Sequence, residues 1–154
     1  MEIIRYTKDQ ISDCIQFELD LRKEDNFWGW DIDDAYIASV KASFEDPRFH
    51  NSVSLLAYDE NRVVGRIDST LICSHFDGST KAYLDWICVL KSQRRKGIAQ
   101  ALMTELRRII KEEYGADTLI GLIASNPEAQ RFYRNLPEAQ IRIEVEVFTS
   151  ILIT

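Results

Sequence analysis

The chain has 154 residues, 19 basic and 25 acidic side chains, a net charge of −6, and 45% hydrophobic residues. That is enough chain for one self-sufficient core, so a single domain spanning 1–154 is expected, with no disulfide or metal staple required. The acidic balance disfavours nucleic acid and anionic membrane as partners, since both need a broad cationic face, and mildly favours a cationic small molecule. Cys14, Cys73 and Cys88 are odd in number, lie far apart and form no CxxC pair, so neither a zinc site nor a disulfide framework is expected. Reduced thiols, no apolar run near 18 residues and no signal-like start together imply a cytoplasmic protein.

In chain order, Glu2–Tyr6 reads as a first strand. Thr7 and Gln10 have capping-box spacing, and Ile11, Ile15 and Leu19 recur every four residues, which predicts a helix to about Leu21 and a loop over Lys23–Asp31. Asp33 is placed to cap a second helix through Phe44. Val53–Tyr58 and Val63–Ser74 are β-rich runs around the hairpin signal Asp59-Glu60-Asn61-Arg62. After a polar loop, His75–Lys81, comes a third run, Tyr83–Leu90. Ile98, Leu102, Leu106 and Ile109 follow helical spacing from Gly97 towards a stop at Gly115. Thr118–Ala124 reads as a strand, Asn126-Pro127 as a helix start, and Gln140–Ile153 as strand-rich. Hairpins mixed with one strand–helix–strand crossover imply an α/β fold with a mixed, mostly antiparallel central sheet flanked by helices.

The stretch Tyr83–Met103 carries the chemistry. An apolar strand enters a basic loop, with Lys91, Arg94, Arg95 and Lys96 inside six residues, and the loop enters a helix at Gly97. Free amides and the helix dipole at such a start suit a pyrophosphate, and Gly97 and Ala99 keep bulk away from its oxygens. A solvated basic helix start would look the same in isolation. Neither a dinucleotide GxGxxG pattern nor a Walker A pattern occurs.

Arg94-Arg95-Lys96-Gly97-Ile98-Ala99 resembles the Q/R-x-x-G-x-G/A motif of the GNAT superfamily of N-acetyltransferases. Asn126-Pro127-Glu128-Ala129-Gln130-Arg131-Phe132-Tyr133 resembles that family's N-x-x-A-x-x-F-Y segment, in family order. The resemblance implies acetyl-CoA as cosubstrate. Main-chain groups of Ile87, Cys88 and Val89 would pair with the pantetheine arm, and the loop from Arg94 through Ile98 and Ala99 to Gln100 would hold the pyrophosphate. Asn126 would bond near the arm, and Tyr133 would sit beside the sulfur. The family commonly continues F-Y-x-x-x-G-F, whereas this chain reads Phe132-Tyr133-Arg134-Asn135-Leu136-Pro137-Glu138, so the turn after the last helix is rebuilt.

Attack on a thioester needs a neutral amine, an oxyanion stabiliser and an acid for the leaving thiolate. Asp85, on the strand beside the cofactor, is the candidate base, with Asp68 in reserve; a satisfied structural carboxylate is the competing reading for Asp85. The Val89 amide could stabilise the oxyanion. Tyr133 is the acid that the resemblance implies. Cys88 has no histidine near it in sequence, which favours a packed thiol and direct attack by the amine.

For the acceptor, Phe27, Trp28, Trp30, Asp31, Asp33 and Asp34 form an aromatic, acidic segment suited to a cationic amine, and that region borders the acceptor site in GNAT proteins. Core aromatics beside a helix cap would read the same way. The blocks LLAYDENRVVGRIDST, YLDWICVL and RRKGIA, with Phe76–Thr80, resemble aminoglycoside N-acetyltransferases, which often carry an acid where Asp85 stands. The acceptor expected is therefore a primary amine of an aminoglycoside- or polyamine-like molecule. A protein lysine or N-terminal acetyltransferase and a non-catalytic acyl-CoA-binding protein are the alternatives. The alternating tail Ile141–Val147 could pair across a homodimer edge.

Overall fold

The computed structural model describes residues 1–25 and 29–141. The chain forms two compact units, Met1–Gly121 and a second that starts at Leu122. The first contains a five-stranded sheet in the order β1-β2-β3-β4-β5: β1 Glu2–Arg5, β2 Ser52–Asp59, β3 Arg62–Cys73, β4 Thr80–Val89 and β5 Leu119–Gly121. The first four strands pair antiparallel, and β5 lies parallel to β4. The β2–β3 hairpin closes on Glu60 and Asn61, both at positive φ (48° and 63°), the turn whose twist matches the flanking strands.

Helix α1, Ile11–Asp25, follows a 3-10 turn at Lys8–Gln10 with the capping box in place: the Thr7 hydroxyl accepts from the Asp9 amide, and the Gln10 side-chain Oε1 accepts from the Thr7 amide at 2.9 Å. The helix runs four residues beyond the expected Leu21, so the loop predicted from Lys23 begins later. Its polar last turn is held by ion pairs and hydrogen bonds, which apolar spacing does not register. Helix α2, Asp34–Ser43, starts at Asp33, whose Oδ1 accepts the Tyr36 amide at 2.8 Å.

Helix α3, Ile98–Tyr114, buries Ile98, Leu102, Met103, Leu106, Ile109 and Ile110 against β2, β3 and β4. At about 1.5–3 kcal/mol for each buried large apolar side chain, this stripe fixes where the helix begins. Gly65 lets it lie close: a Cβ there would stand 2.9 Å from Ile98 Cγ2 and 3.1 Å from Leu102 Cδ1. The helix ends in the left-handed Gly115 (φ 67°), as the glycine stop predicts. Its neighbour in β3, Arg66, points the other way, to Cys14 and Glu18 of α1, so α1 and α3 cover opposite faces of the sheet.

Strand β5 is shorter than the predicted Thr118–Ala124, because only Leu119–Gly121 pair with β4. In the second unit, α4 (Pro127–Arg134) has proline in its first turn and is capped by Asn126, whose Oδ1 accepts the Ala129 amide at 2.8 Å. It closes through Asn135 and Leu136 amides bonded to Arg131 and Tyr133 carbonyls, without a left-handed residue. The expected tail strand over Gln140–Ile153 and its proposed dimer edge lie, from residue 142 on, outside the described residues, as do Phe27 and Trp28. Among the described residues no helix is long and apolar enough to cross a membrane.

Candidate active site

Two irregularities in β4 build the site. Opposite β3, Asp68 pairs with Trp86 and Ser69 with Leu84, so Asp85 is the extra residue of a β-bulge. The bulge projects Asp85 and Trp86 to the same face. Thr70 donates to Asp85 Oδ2 at 2.7 Å, and the Arg66 guanidinium lies 5.7 Å from the Trp86 ring centre. The second irregularity is that β5 leaves β4 after the Leu84–Gly121 pair. Beyond it, β4 has no paired strand on that side among the described residues. The Leu90 amide bonds to Val64 of β3, and strand alternation then turns Ile87 and Val89 towards the open edge and Cys88 towards β3, opposite Arg66. Of the three residues expected to meet the pantetheine arm, Ile87 and Val89 therefore have their peptide groups on the open edge, where the Val89 carbonyl already accepts from Arg94 Nε.

The loop from Leu90 to Gly97 contains a 3-10 turn, Lys91–Gln93, and then two left-handed residues, Arg95 (φ 65°) and Gly97 (φ 79°). The Ala101 amide bonds to the Gly97 carbonyl, which leaves the amides of Ile98, Ala99 and Gln100 without intrahelical acceptors. Among the described residues a Cβ on Gly97 would meet nothing within 4 Å, so they leave the space over the helix start open. The loop cations divide. Arg94 turns back, its Nε donating to the Val89 carbonyl at 3.2 Å and its guanidinium pairing with Asp25. Lys96 reaches Gln93, whereas exposed Arg95 makes neither a hydrogen bond nor an ion pair among the described residues. Open amides, open space and an uncommitted guanidinium suit a pyrophosphate.

Replacing Gly97 with Trp should weaken acetyl-CoA binding at least tenfold, about 1.4 kcal/mol. Strain at a left-handed site contributes about 1–2 kcal/mol to any non-glycine variant. Gly97→Ala carries that strain without the bulk and should bind more tightly than Gly97→Trp. Calorimetry decides, and unchanged affinity in a folded Trp variant would remove the cradle.

On the α1 face a polar and aromatic cluster surrounds the bulge. Arg66, half-sandwiched between Tyr6 (4.9 Å) and Trp86, donates to Glu18 at 3.0 Å and pairs with Asp68 at 2.7 Å. Burial alone would favour its neutral form, but Asp68 and its other partners raise its pKa, so it stays charged. Tyr36 donates to Glu18, and Ser54 to Asp68 at 2.7 Å. Trp30 lies 6.1 Å from Trp86 and 5.9 Å from Tyr36, with Arg22 over its ring. Of the expected acceptor residues, Trp30 joins this wall, Asp33 caps α2, and Asp31 and Asp34 are exposed. Glu18, Tyr36, Arg66 and Trp86 were not anticipated. A charged pair two residues apart, Arg66 and Asp68, in the middle of a β-rich run is the available signal.

Burial pushes the Cys88 thiol up to about 11, which keeps it protonated and poorly nucleophilic near neutral pH. Burial also raises the Tyr133 phenol above its ordinary value, and its ring packs on Phe132 at 5.2 Å.

Residues 6–136 match the acetyltransferase (GNAT) family. Comparison with curated proteins gives no match. Solved structures of similar fold include an aminoglycoside acetyltransferase from an uncultured soil metagenomic sample (20% identity, 97% of this chain and 96% of that chain, TM-score 0.78). An aminoglycoside antibiotic 6'-N-acetyltransferase from Acinetobacter haemolyticus is also similar (18%, 99% and 100%, 0.72). So is a ribosomal-protein-alanine N-acetyltransferase from Brucella melitensis (17%, 96% and 99%, 0.71). At these identities the likeness is one of fold. The family match from Tyr6 to Leu136 takes in the basic loop, the bulged strand and α4 together, and the chain therefore belongs to the acetyltransferase (GNAT) family of acetyl-CoA-dependent N-acetyltransferases.

Proposed function

We propose that the protein transfers the acetyl group of acetyl-CoA to a primary amine of a small cationic molecule, aminoglycoside- or polyamine-like, by direct attack of the amine. Acetyl-CoA, when bound, supplies an acetyl thioester. The open edge of β4 at Ile87 and Val89, the amides of Ile98, Ala99 and Gln100, and Arg95 would hold it, with Asn126 and Tyr133 contributing from α4. Asp85 would take the proton from the ammonium, the Val89 amide would stabilise the developing oxyanion, and Tyr133 Oη would give its proton to the leaving thiolate.

The observation that carries the acceptor class is the wall made by Trp30, Trp86 and Tyr36 beside the exposed carboxylate of Asp85. Aromatic faces and a carboxylate each attract an ammonium. The two similar structures described as aminoglycoside acetyltransferases support the same class. A second reading, acetylation of a protein N-terminus, has the ribosomal-protein-alanine enzyme in its favour.

A thiol-release screen over aminoglycosides, polyamines, amino acids and alanine-starting peptides separates these readings. Polycationic small molecules should give the highest kcat/KM, and raised salt should lower it through KM, because screening acts on the attraction. Turnover confined to peptides would establish the second reading. Acetyl-CoA binding without turnover of any acceptor would leave a binding protein.

A further inference from the structure

The 3-10 turn Lys91–Gln93, which opens the phosphate loop, lacks a cap of its own. Leu90 stands at the cap position and has no side-chain acceptor for the turn's amides. The acceptor comes instead from α1, 68 residues away in sequence. Glu24 Oε2 accepts the Ser92 amide at 2.9 Å, and Glu24 Oε1 accepts the Ser92 hydroxyl at 2.9 Å. The next residue of α1, Asp25, pairs with Arg94 and lies 3.8 Å from Lys91 Nζ. Two adjacent acids on the last turn of α1 thus hold the first half of the loop at its backbone and at two cations. The second half, with left-handed Arg95 and Gly97, is the part that presents amides and open space.

We infer that Glu24 is a positioning residue for acetyl-CoA: its two-point grip on Ser92 sets the loop conformation in which Arg95 and the first amides of α3 face the pyrophosphate. Without the grip, the Ser92 amide loses its acceptor and the turn is free to rearrange, so part of the binding energy goes into re-forming the loop. Asp25 acts in the same sense by drawing Lys91 and Arg94 back towards α1, which leaves Arg95 for the ligand. The charge-assisted bond to the Ser92 amide also holds the Glu24 carboxyl below its ordinary range, so the grip persists through neutral pH. This inference rests on the assignment of the loop as the acetyl-CoA cradle.

Calorimetric titration of acetyl-CoA into wild type, Glu24→Ala, Ser92→Thr and Arg62→Met tests it, together with steady-state kinetics at saturating acceptor. Glu24→Ala should raise the acetyl-CoA Kd and KM about five- to tenfold while kcat at saturation stays within about twofold. Ser92→Thr keeps both donors and should bind as wild type does. Arg62 lies 3.5 Å from Glu24 but bonds to nothing in the loop, so Arg62→Met should also bind normally. If Glu24→Ala destabilises the chain, Ser92→Ala gives a second reading, because it keeps the amide bond, loses the hydroxyl bond, and should show an intermediate loss. Wild-type affinity in folded Glu24→Ala overturns the inference. An equal loss in Arg62→Met also overturns it, since local charge rather than grip would then be responsible. Failure of the wild type itself to bind acetyl-CoA removes the cradle assignment, and the inference with it.

Discussion

Tyr133→Phe should lower kcat by about 10²–10⁴-fold, the range for loss of a general acid, and leave the acetyl-CoA Kd nearly unchanged. The variant keeps the ring and its edge-on contact with Phe132, so only the Oη hydroxyl is lost. Burial raises the phenol above its ordinary value of about 10, which favours the protonated form through neutral and mildly alkaline pH. An acid must be protonated to act, so wild-type activity should hold up to high pH and fall only as this raised pKa is passed. The alkaline fall should be absent from the residual activity of the variant. Single-turnover measurements isolate the chemical step from product release. A wild-type single-turnover rate in Tyr133→Phe would end the assignment.

How far the sequence could be read depended on whether the signal was local. The Thr7–Gln10 capping box, the Asp33 cap, proline at the start of α4 and the glycine stop of α3 at Gly115 are each fixed by residues within one turn, and each is found. The bulge at Asp85 is not local in this sense. Strict alternation puts Asp85 and Trp86 on opposite faces, and only the pairing with β3 reveals that both face α1. The extra turn of α1 has a similar cause. Arg22-Lys23-Glu24-Asp25 carries no apolar spacing, and its partners Arg62, Ser92 and Arg94 come from β3 and from the loop after β4. The run Thr118–Ala124 illustrates the limit of hydrophobicity as a guide. It marks a strand correctly but not the point where pairing stops, and that point creates the open edge of β4. Asp33 was expected to serve a cap or the acceptor, and the structure places it at the cap.

Asp85→Asn should lower kcat/KM for the amine by about 10²–10⁴-fold, and the pH profile should show that this carboxylate, rather than Asp68, is the base. The two differ in what already occupies them. Both Asp68 oxygens are engaged, by Arg66 and Ser54, whereas among the described residues Asp85 accepts one bond, from Thr70 at Oδ2, and none at Oδ1. Burial and the neighbouring charge of Asp68 raise the Asp85 pKa, and the Thr70 hydroxyl opposes them. A base acts in its ionised form, so kcat/KM should climb with pH through an acid limb above the usual carboxylate value of about 4. Thr70→Val removes the opposing bond and should move that limb to higher pH. Thr70→Ser should move it back, a response that simple loss of packing would not produce. Asp85→Asn should abolish the limb together with most of the rate. Asp68→Asn should behave differently, because it leaves the interior charge of Arg66 short of a partner. The expected cost is about 3–5 kcal/mol of stability, seen as a lowered Tm, with the acid limb of the folded fraction retained. An acid limb that survives Asp85→Asn and vanishes in folded Asp68→Asn would exchange the two roles.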